Sequence, residues 1–284
     1  MELPPLSVIL SWPLPNYNDP VTRGNALVIA NAIFLTLVLI VVSLRLYCRL
    51  AVRIWFGPDD LFILAALFFT ICLTAVVILA NEHFGWNKHI WDIPLESLSS
   101  SLKIGLVAKI AYIWAASCTR LSLHFFYYRL TGGANKPWFK WLVHANVALT
   151  VSILITVTFV SIFACHPVSD YWKIGSAPGT CLDEGASGLG SGIVNCIADF
   201  TTWLTPIPLV IGLQMPLRQR ISIIALFALG IIVTIIGIVR TWFIYKAILT
   251  ADITWHTYPL WIAAAVEIDL GVICASAPVL RPLI

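Results

Sequence analysis

Charge is scarce in this sequence. Only 11% of its 284 residues are Asp, Glu, Lys or Arg, where soluble domains carry about 25%. So few charges cannot clothe a surface in water, which excludes an ordinary soluble domain. The net charge is +3 and the basic residues form no block or stripe, which removes the electrostatic footprint of a nucleic-acid partner. No Asn-x-Ser/Thr sequon is present. Residues 1–20 lack a basic n-region and are broken by Pro4, Pro5, Pro13 and Pro15. A cleavable signal peptide is therefore not expected, and the first hydrophobic run is expected to do the targeting.

What is present is hydrophobic length. Apolar residues make up 60% of the chain and the mean hydropathy is +0.91. A membrane helix needs roughly 20 mostly apolar residues. The runs that qualify are Asn25 to Tyr47, Leu61 to Ala80, Leu102 to Tyr127, Trp141 to Cys165, Ser191 to Leu213, Ile221 to Ala247 and Tyr258 to Leu280. They predict an all-α membrane protein, a seven-transmembrane helix bundle forming a single domain over 25–284 after a short extracytoplasmic segment, 1–24. Lys and Arg concentrate at one set of helix ends (Arg45, Arg49, Arg53; Arg129, Lys136, Lys140; Arg218, Arg220; Arg281). That side is read as cytoplasmic, which puts the N-terminus outside and the C-terminus in the cytoplasm. Trp86, Trp91, Trp172 and Trp255 fall near the outer ends, and Trp55, Trp138 and Trp141 near the inner ends, in the pattern of two aromatic belts. Cys165 and Cys181 flank an outer loop on the oxidising side, so a disulfide between them is expected.

Ionisable residues within lipid are costly unless paired or hydrated, and each is a functional candidate. At about 1.5 Å per residue, Lys109, Asp199, Arg240 and Glu267 fall roughly 10–14 Å below the outer helix ends. With Asn195, one turn from Asp199, they are the candidate lining of a ligand pocket. Tyr112, Thr201 and Thr202 are possible hydrogen-bonding neighbours. Asp269 is a further acid, angled away from Glu267. The alternative is that Lys109–Glu267 and Arg240–Asp199 are buried ion pairs that fix helix packing; composition does not separate the two. Nearer the cytoplasm, Gly57-Pro58-Asp59-Asp60 has the form of a helix start. Arg120, in the inner half of the third run, is placed to reach Asp59 and Asp60 as a switch. His83, His89, His166 and His256, with Asp92 and Glu96, lie on the outer side without tight zinc spacing. No metal and no cofactor is expected.

The last run contains no lysine for a retinal Schiff base, and Glu267 lies in its middle. Retinal is therefore not expected. The third run ends Phe126-Tyr127-Tyr128-Arg129 and the seventh Ala277-Pro278-Val279-Leu280-Arg281-Pro282, so the common receptor signatures are missing. The ordered set Leu44-Arg45-Leu46-Tyr47-Cys48-Arg49, Gly57-Pro58-Asp59-Asp60, Lys109, Arg120 to Arg129, Cys165-His166-Pro167-Val168, Trp172, Gly179-Thr180-Cys181, Asn195 with Asp199, Pro206-Ile207-Pro208, Arg240, Glu267 and Pro278 to Leu283 resembles the fungal rhodopsin-domain family of seven-helix membrane proteins. That family includes receptor-like proteins of pathogenic fungi and membrane proteins of mycotoxin gene clusters such as the satratoxin clusters. One family glycine is absent, since its Gly-x-Gly-x-His reads Gly85-Trp86-Asn87-Lys88-His89 here. The chain stops just after the final motif, without the cytoplasmic tail of many relatives, which argues against a signalling role.

The resemblance implies a protein of the plasma membrane or endoplasmic reticulum that serves a secondary-metabolite pathway. Its expected partners are the lipid bilayer and an apolar small molecule held in the bundle. Two alternatives stand beside it. One is a membrane-embedded cyclase or isomerase with Glu267 or Asp199 as general acid and Lys109 or Arg240 stabilising developing charge. The other is a non-retinal receptor acting on an unknown cytoplasmic partner through Arg49, Arg53, Arg129 and Arg220.

Overall fold

The computed structural model describes residues 11–52, 54–130, 137–173, 179–208 and 217–280. Arg53, Lys136 and Arg281 lie outside the described residues, as do the side chains of Glu96, Arg218 and Arg220. The architecture is helical, and among the described residues the only β pairings are two isolated bridges, Thr22 with Lys88 and Cys165 with Cys181.

The long helices are α1 (Ala26–Tyr47), α2 (Pro58–His83), α3 (Leu95–Leu130), α4 (Pro137–Ile162), α5 (Glu184–Leu204), α6 (Leu217–Ile248) and α7 (Ile253–Ser276). Six of them, all but α5, are long and apolar enough to cross a membrane. The first half of α5 is built from Gly185, Gly188, Gly190, Gly192, Ser187 and Ser191, which lowers its hydropathy without shortening it. Asp183 caps this helix by accepting from the Gly185 and Ala186 amides, satisfying donors that the first turn leaves free. The helix ends two residues before Pro206, which has no N–H to continue the ladder. It therefore starts seven residues earlier than its hydrophobicity suggests and stops well short of Leu213. The α3 helix likewise begins at Leu95 rather than Leu102, which moves everything on it deeper along the helix.

The distribution of polarity is inverted relative to a soluble protein. Asn31, Arg45, Arg49, Asp60, Asn195 and Glu267 are buried, while Leu37, Ile40, Phe68, Ile155, Phe159 and Ile238 are exposed. Lipid as solvent explains both halves, since polar groups must find partners inside. The α3 and α7 helices have the most buried spans and hold the middle of the bundle. Glycine permits close packing between α5 and α6, where Gly192 lies against Thr241 and Gly230 against Trp203.

The disulfide end is closed by loops. Cys165 and Cys181 are bonded, and the His166 and Leu182 amides donate to the Thr180 and Ala164 carbonyls across the neck of that loop. The segment before α1 is tied down by Arg23, whose amide donates to the Asn87 carbonyl, and by Tyr258, whose hydroxyl donates to the Gly24 carbonyl and accepts from the Leu27 amide. Gly85, at φ +71°, turns the chain out of α2 in a conformation side chains rarely adopt. The turn brings Trp86 inward against Trp261, so Trp86 is part of the buried core rather than of a belt. Trp55, Trp138 and Trp141 at the opposite end are exposed.

Candidate functional site

Four helices contribute to a polar centre in the middle of the bundle. Arg240 of α6 donates through Nε to Glu267 Oε2 of α7 at 2.7 Å. Tyr112 of α3 donates to the other oxygen of Glu267 at 2.6 Å, and its ring lies 4.6 Å beneath the Arg240 guanidinium. On α3, Arg120 donates through Nε to Asp199 of α5 at 2.8 Å and through Nη2 to the Asn195 side-chain oxygen at 2.9 Å. All six residues are buried. Between the two pairs lies a cavity lined by Arg120, Asp199 and Glu267, with apolar walls that include Ala116, Leu123, Trp203 and Val233. Its volume is about 20 Å³, room for one water, which needs about 10–15 Å³. Arg120 Nη1 and Arg240 Nη2 are buried without a hydrogen-bond partner among the described residues.

Asn195, Asp199, Arg240 and Glu267 thus meet as expected, but the partners are exchanged. Neither Lys109–Glu267 nor Arg240–Asp199 forms. Lys109 is not at the centre. Lys109 lies toward the disulfide end, where α5 begins at Glu184; its ammonium donates to Glu184 and, at 3.2 Å, to the Tyr171 hydroxyl. That hydroxyl in turn donates to Glu184 at 2.8 Å. Burial pushes the Tyr171 phenol up to about 12, against the pull of the Lys109 ammonium, so it stays a neutral donor at physiological pH. Thr201 and Thr202 turn back to the Ala198 carbonyl. Asp269 is buried, and neither of its carboxylate oxygens meets a donor among the described residues.

The place at the centre expected for Lys109 is taken by Arg120, which does not reach Asp59 or Asp60. That acidic pair is already held by two arginines one turn apart. Arg45 donates through Nε to Asp60 at 3.0 Å and through Nη2 to Asp59 at 2.9 Å. Arg49, in the π-helical turn Cys48–Val52 that continues α1, contacts the same two carboxylates. Arg45 Nη1 also donates to the Ala275 carbonyl of α7 at 2.7 Å. The α3 helix joins through Ser122, whose hydroxyl donates to the Asp59 carbonyl, and through half-exposed Arg129, 3.4 Å from the Asp59 carboxylate. The indole of Trp55 lies under both Arg49 and Arg129. The helix-start reading of this motif also holds, with Pro58 in the first turn and the Gly57 amide donating to Asp60. The Arg45/Arg49 role was readable only as the i, i+4 spacing within Leu44 to Arg49.

In the loops at the disulfide end, His89 binds Asp252 through Nδ1 and stacks on Trp91 and Trp255. Among the described residues no three His, Cys, Asp or Glu side chains form a metal-binding group.

Residues 44–284 match the fungal rhodopsin domain. This chain belongs to the fungal rhodopsin-domain family. The match takes in both charge networks and the disulfide loop. Receptor GIN3 of Arthrobotrys oligospora is 26% identical over 88% of this chain and 60% of its own length. Wortmanamides biosynthesis cluster protein C of Talaromyces wortmannii is 25% identical over 87% of the chain and 67% of its own length. Satratoxin biosynthesis SC1 cluster protein 4 of Stachybotrys chartarum is 26% identical over 46% of each. The chain therefore spans about half to two-thirds of these relatives, some of which are named for biosynthetic gene clusters. No solved structure matches it.

Proposed function

We propose that this fungal rhodopsin-domain protein serves a secondary-metabolite pathway by binding a lipophilic metabolite within the bundle, at the polar centre of α3, α5, α6 and α7. In this reading α5 is a further membrane span. The bundle then crosses seven times, with the disulfide end outside and the arginine-rich end cytoplasmic, in the plasma membrane or endoplasmic reticulum. The observation that carries the reading is the cavity itself. Buried Arg120, Asp199 and Glu267 share it with apolar walls, which is the composition of a small-molecule site. Arg120 Nη1, on a residue that lines the cavity, has no hydrogen-bond partner among the described residues. The cavity as it stands admits a water and not a metabolite, so binding requires α3 and α5 to part. The chain's α7 has no lysine, so the ligand is not a retinal Schiff base.

The enzyme reading loses support from the pairing. Asp199 and Glu267 each accept from a guanidinium, the arrangement of an ion pair rather than of an acid held neutral for proton donation. A receptor reading gains support from α3, which carries both Arg120 at the centre and Ser122 and Arg129 at the acidic latch; one rigid helix couples the two networks. The name of GIN3 points the same way. The experiment is photo-crosslinking in membranes, with a photoreactive amino acid in place of Val233. Capture of a metabolite from the producing strain supports the reading. Capture of lipid alone, with no metabolite, opposes it.

A further inference from the structure

The faces of α3 and α5 that look at one another carry a repeated arrangement. On α3, Lys109, Ile113, Ala116 and Arg120 recur at helical spacing on one side. On α5, Glu184, Gly188, Ser191, Asn195 and Asp199 do the same. The two stripes are pinned twice, by Lys109–Glu184 at the disulfide end and by Arg120–Asp199 at the polar centre. The pins are about 16 Å apart along α3. Between them α5 presents Gly188 and Ser191, and then Asn195, which accepts from Arg120.

Exposure falls along this stripe, with Glu184 exposed, Gly188 and Ser191 half-buried and Asn195 wholly buried. The seam is thus a wedge that opens at the disulfide end and closes at the centre. Ile113, packed with Ile153 and Ala198, shuts it toward α4. The two pins differ in kind. Lys109 and Glu184 have side chains 42% and 44% exposed, whereas Arg120 and Asp199 have 3% and 10%. The Lys109–Glu184 pair, shared with the Tyr171 hydroxyl, is open on one side, whereas the Arg120–Asp199 pair is enclosed. At the closed end, Arg120 Nη1 is a buried donor without a partner among the described residues, and Arg120 lines the cavity.

Resting on the function proposed above, we propose that the α3–α5 seam is the access route and binding groove for a lipophilic carboxylate, with Lys109–Glu184 as its gate and Arg120 as its terminus. A carboxylate is the acceptor that answers a free guanidinium donor best, because both partners are charged. The Lys109 ammonium presents the same sign of charge at the mouth. The head group takes the position for which the cavity has room, and the apolar body lies along Ala116, Gly188 and Ser191. Only the head enters the cavity, so α3 and α5 need part only far enough to widen a one-water space for a carboxylate.

The test uses the whole protein in lipid nanodiscs with cis-parinaric acid, a fluorescent long-chain carboxylate, and its methyl ester. The acid is expected to bind saturably and at least tenfold more tightly than the ester. Arg120→Gln, made together with Asp199→Asn so that no buried carboxylate is stranded, removes that preference. Independently, Ser191→Cys is followed by maleimide labelling read at that residue by mass spectrometry. The acid is expected to slow labelling at least fivefold, and Lys109→Gln to speed it. Equal affinity for acid and ester, or a preference that survives the double substitution, overturns the carboxylate assignment. Labelling that ignores both the acid and Lys109→Gln overturns the route while leaving a ligand site at the polar centre standing. Absence of saturable binding by either probe overturns the groove and counts against the central site as well.

Discussion

Glu267 accepts from both Arg240 and Tyr112, so its two oxygens are satisfied by different helices. Removing one member of such a buried pair leaves an uncompensated charge, which costs about 3–5 kcal/mol. Arg240→Gln is therefore expected to lower stability by that amount, and Arg240→Gln with Glu267→Gln by clearly less; thermal unfolding of the purified protein checks both. At the opposite end, a Cβ on Gly57 would meet the Trp55 ring at 2.3 Å and Asp59 Oδ1 at 2.7 Å. Gly57→Ala is expected to displace Trp55 from Arg49 and Arg129, read as a changed tryptophan emission at normal membrane abundance. At this scale the sequence was legible as a set of candidates but not as pairs. Asn195, Asp199, Arg240 and Glu267 stand out because charge in lipid needs a reason. Their pairing depends on depth, and on α3 the residue level with Asp199 is Arg120, three turns beyond Lys109.

Helix packing carries its own predictions. A Cβ on Gly230 would lie 2.4 Å from the Trp203 ring, a ring that cannot give way as a flexible chain end can. Gly230→Ala is expected to push α5 from α6 and cost about 1–3 kcal/mol, and Gly230→Ala with Trp203→Leu to recover part of it in the same melt. The bridge between Cys165 and Cys181 closes a loop with a sequence separation of 16. Its removal by replacing both cysteines with Ala is expected to cost about 3 kcal/mol, and the parent protein alone should lose stability in reductant. The strongly apolar helices were readable from length and hydropathy. The α5 boundaries were not, because its Gly and Ser residues read as loop. Asp183 as a cap and Pro206 as a stop were the signals that mark its ends.

For the molecule as a whole, polar residues inside and large hydrophobic residues outside are the physical content of the family assignment. The topology proposed from the Lys and Arg bias of the helix ends has its own test. A glycosylation sequon engineered beside Asn18 is expected to be modified, and one engineered beside Gly57 is not. The two charge networks are joined by α3, so a change at the polar centre has a mechanical path to Asp59. The central claim is that this centre acts on a metabolite rather than only holding helices together. It is tested most directly by metabolite profiling of the native fungus carrying Glu267→Gln at membrane abundance equal to the parent. The account predicts that one pathway product falls at least tenfold. An unchanged profile at equal abundance would contradict it and leave the buried charges as packing alone.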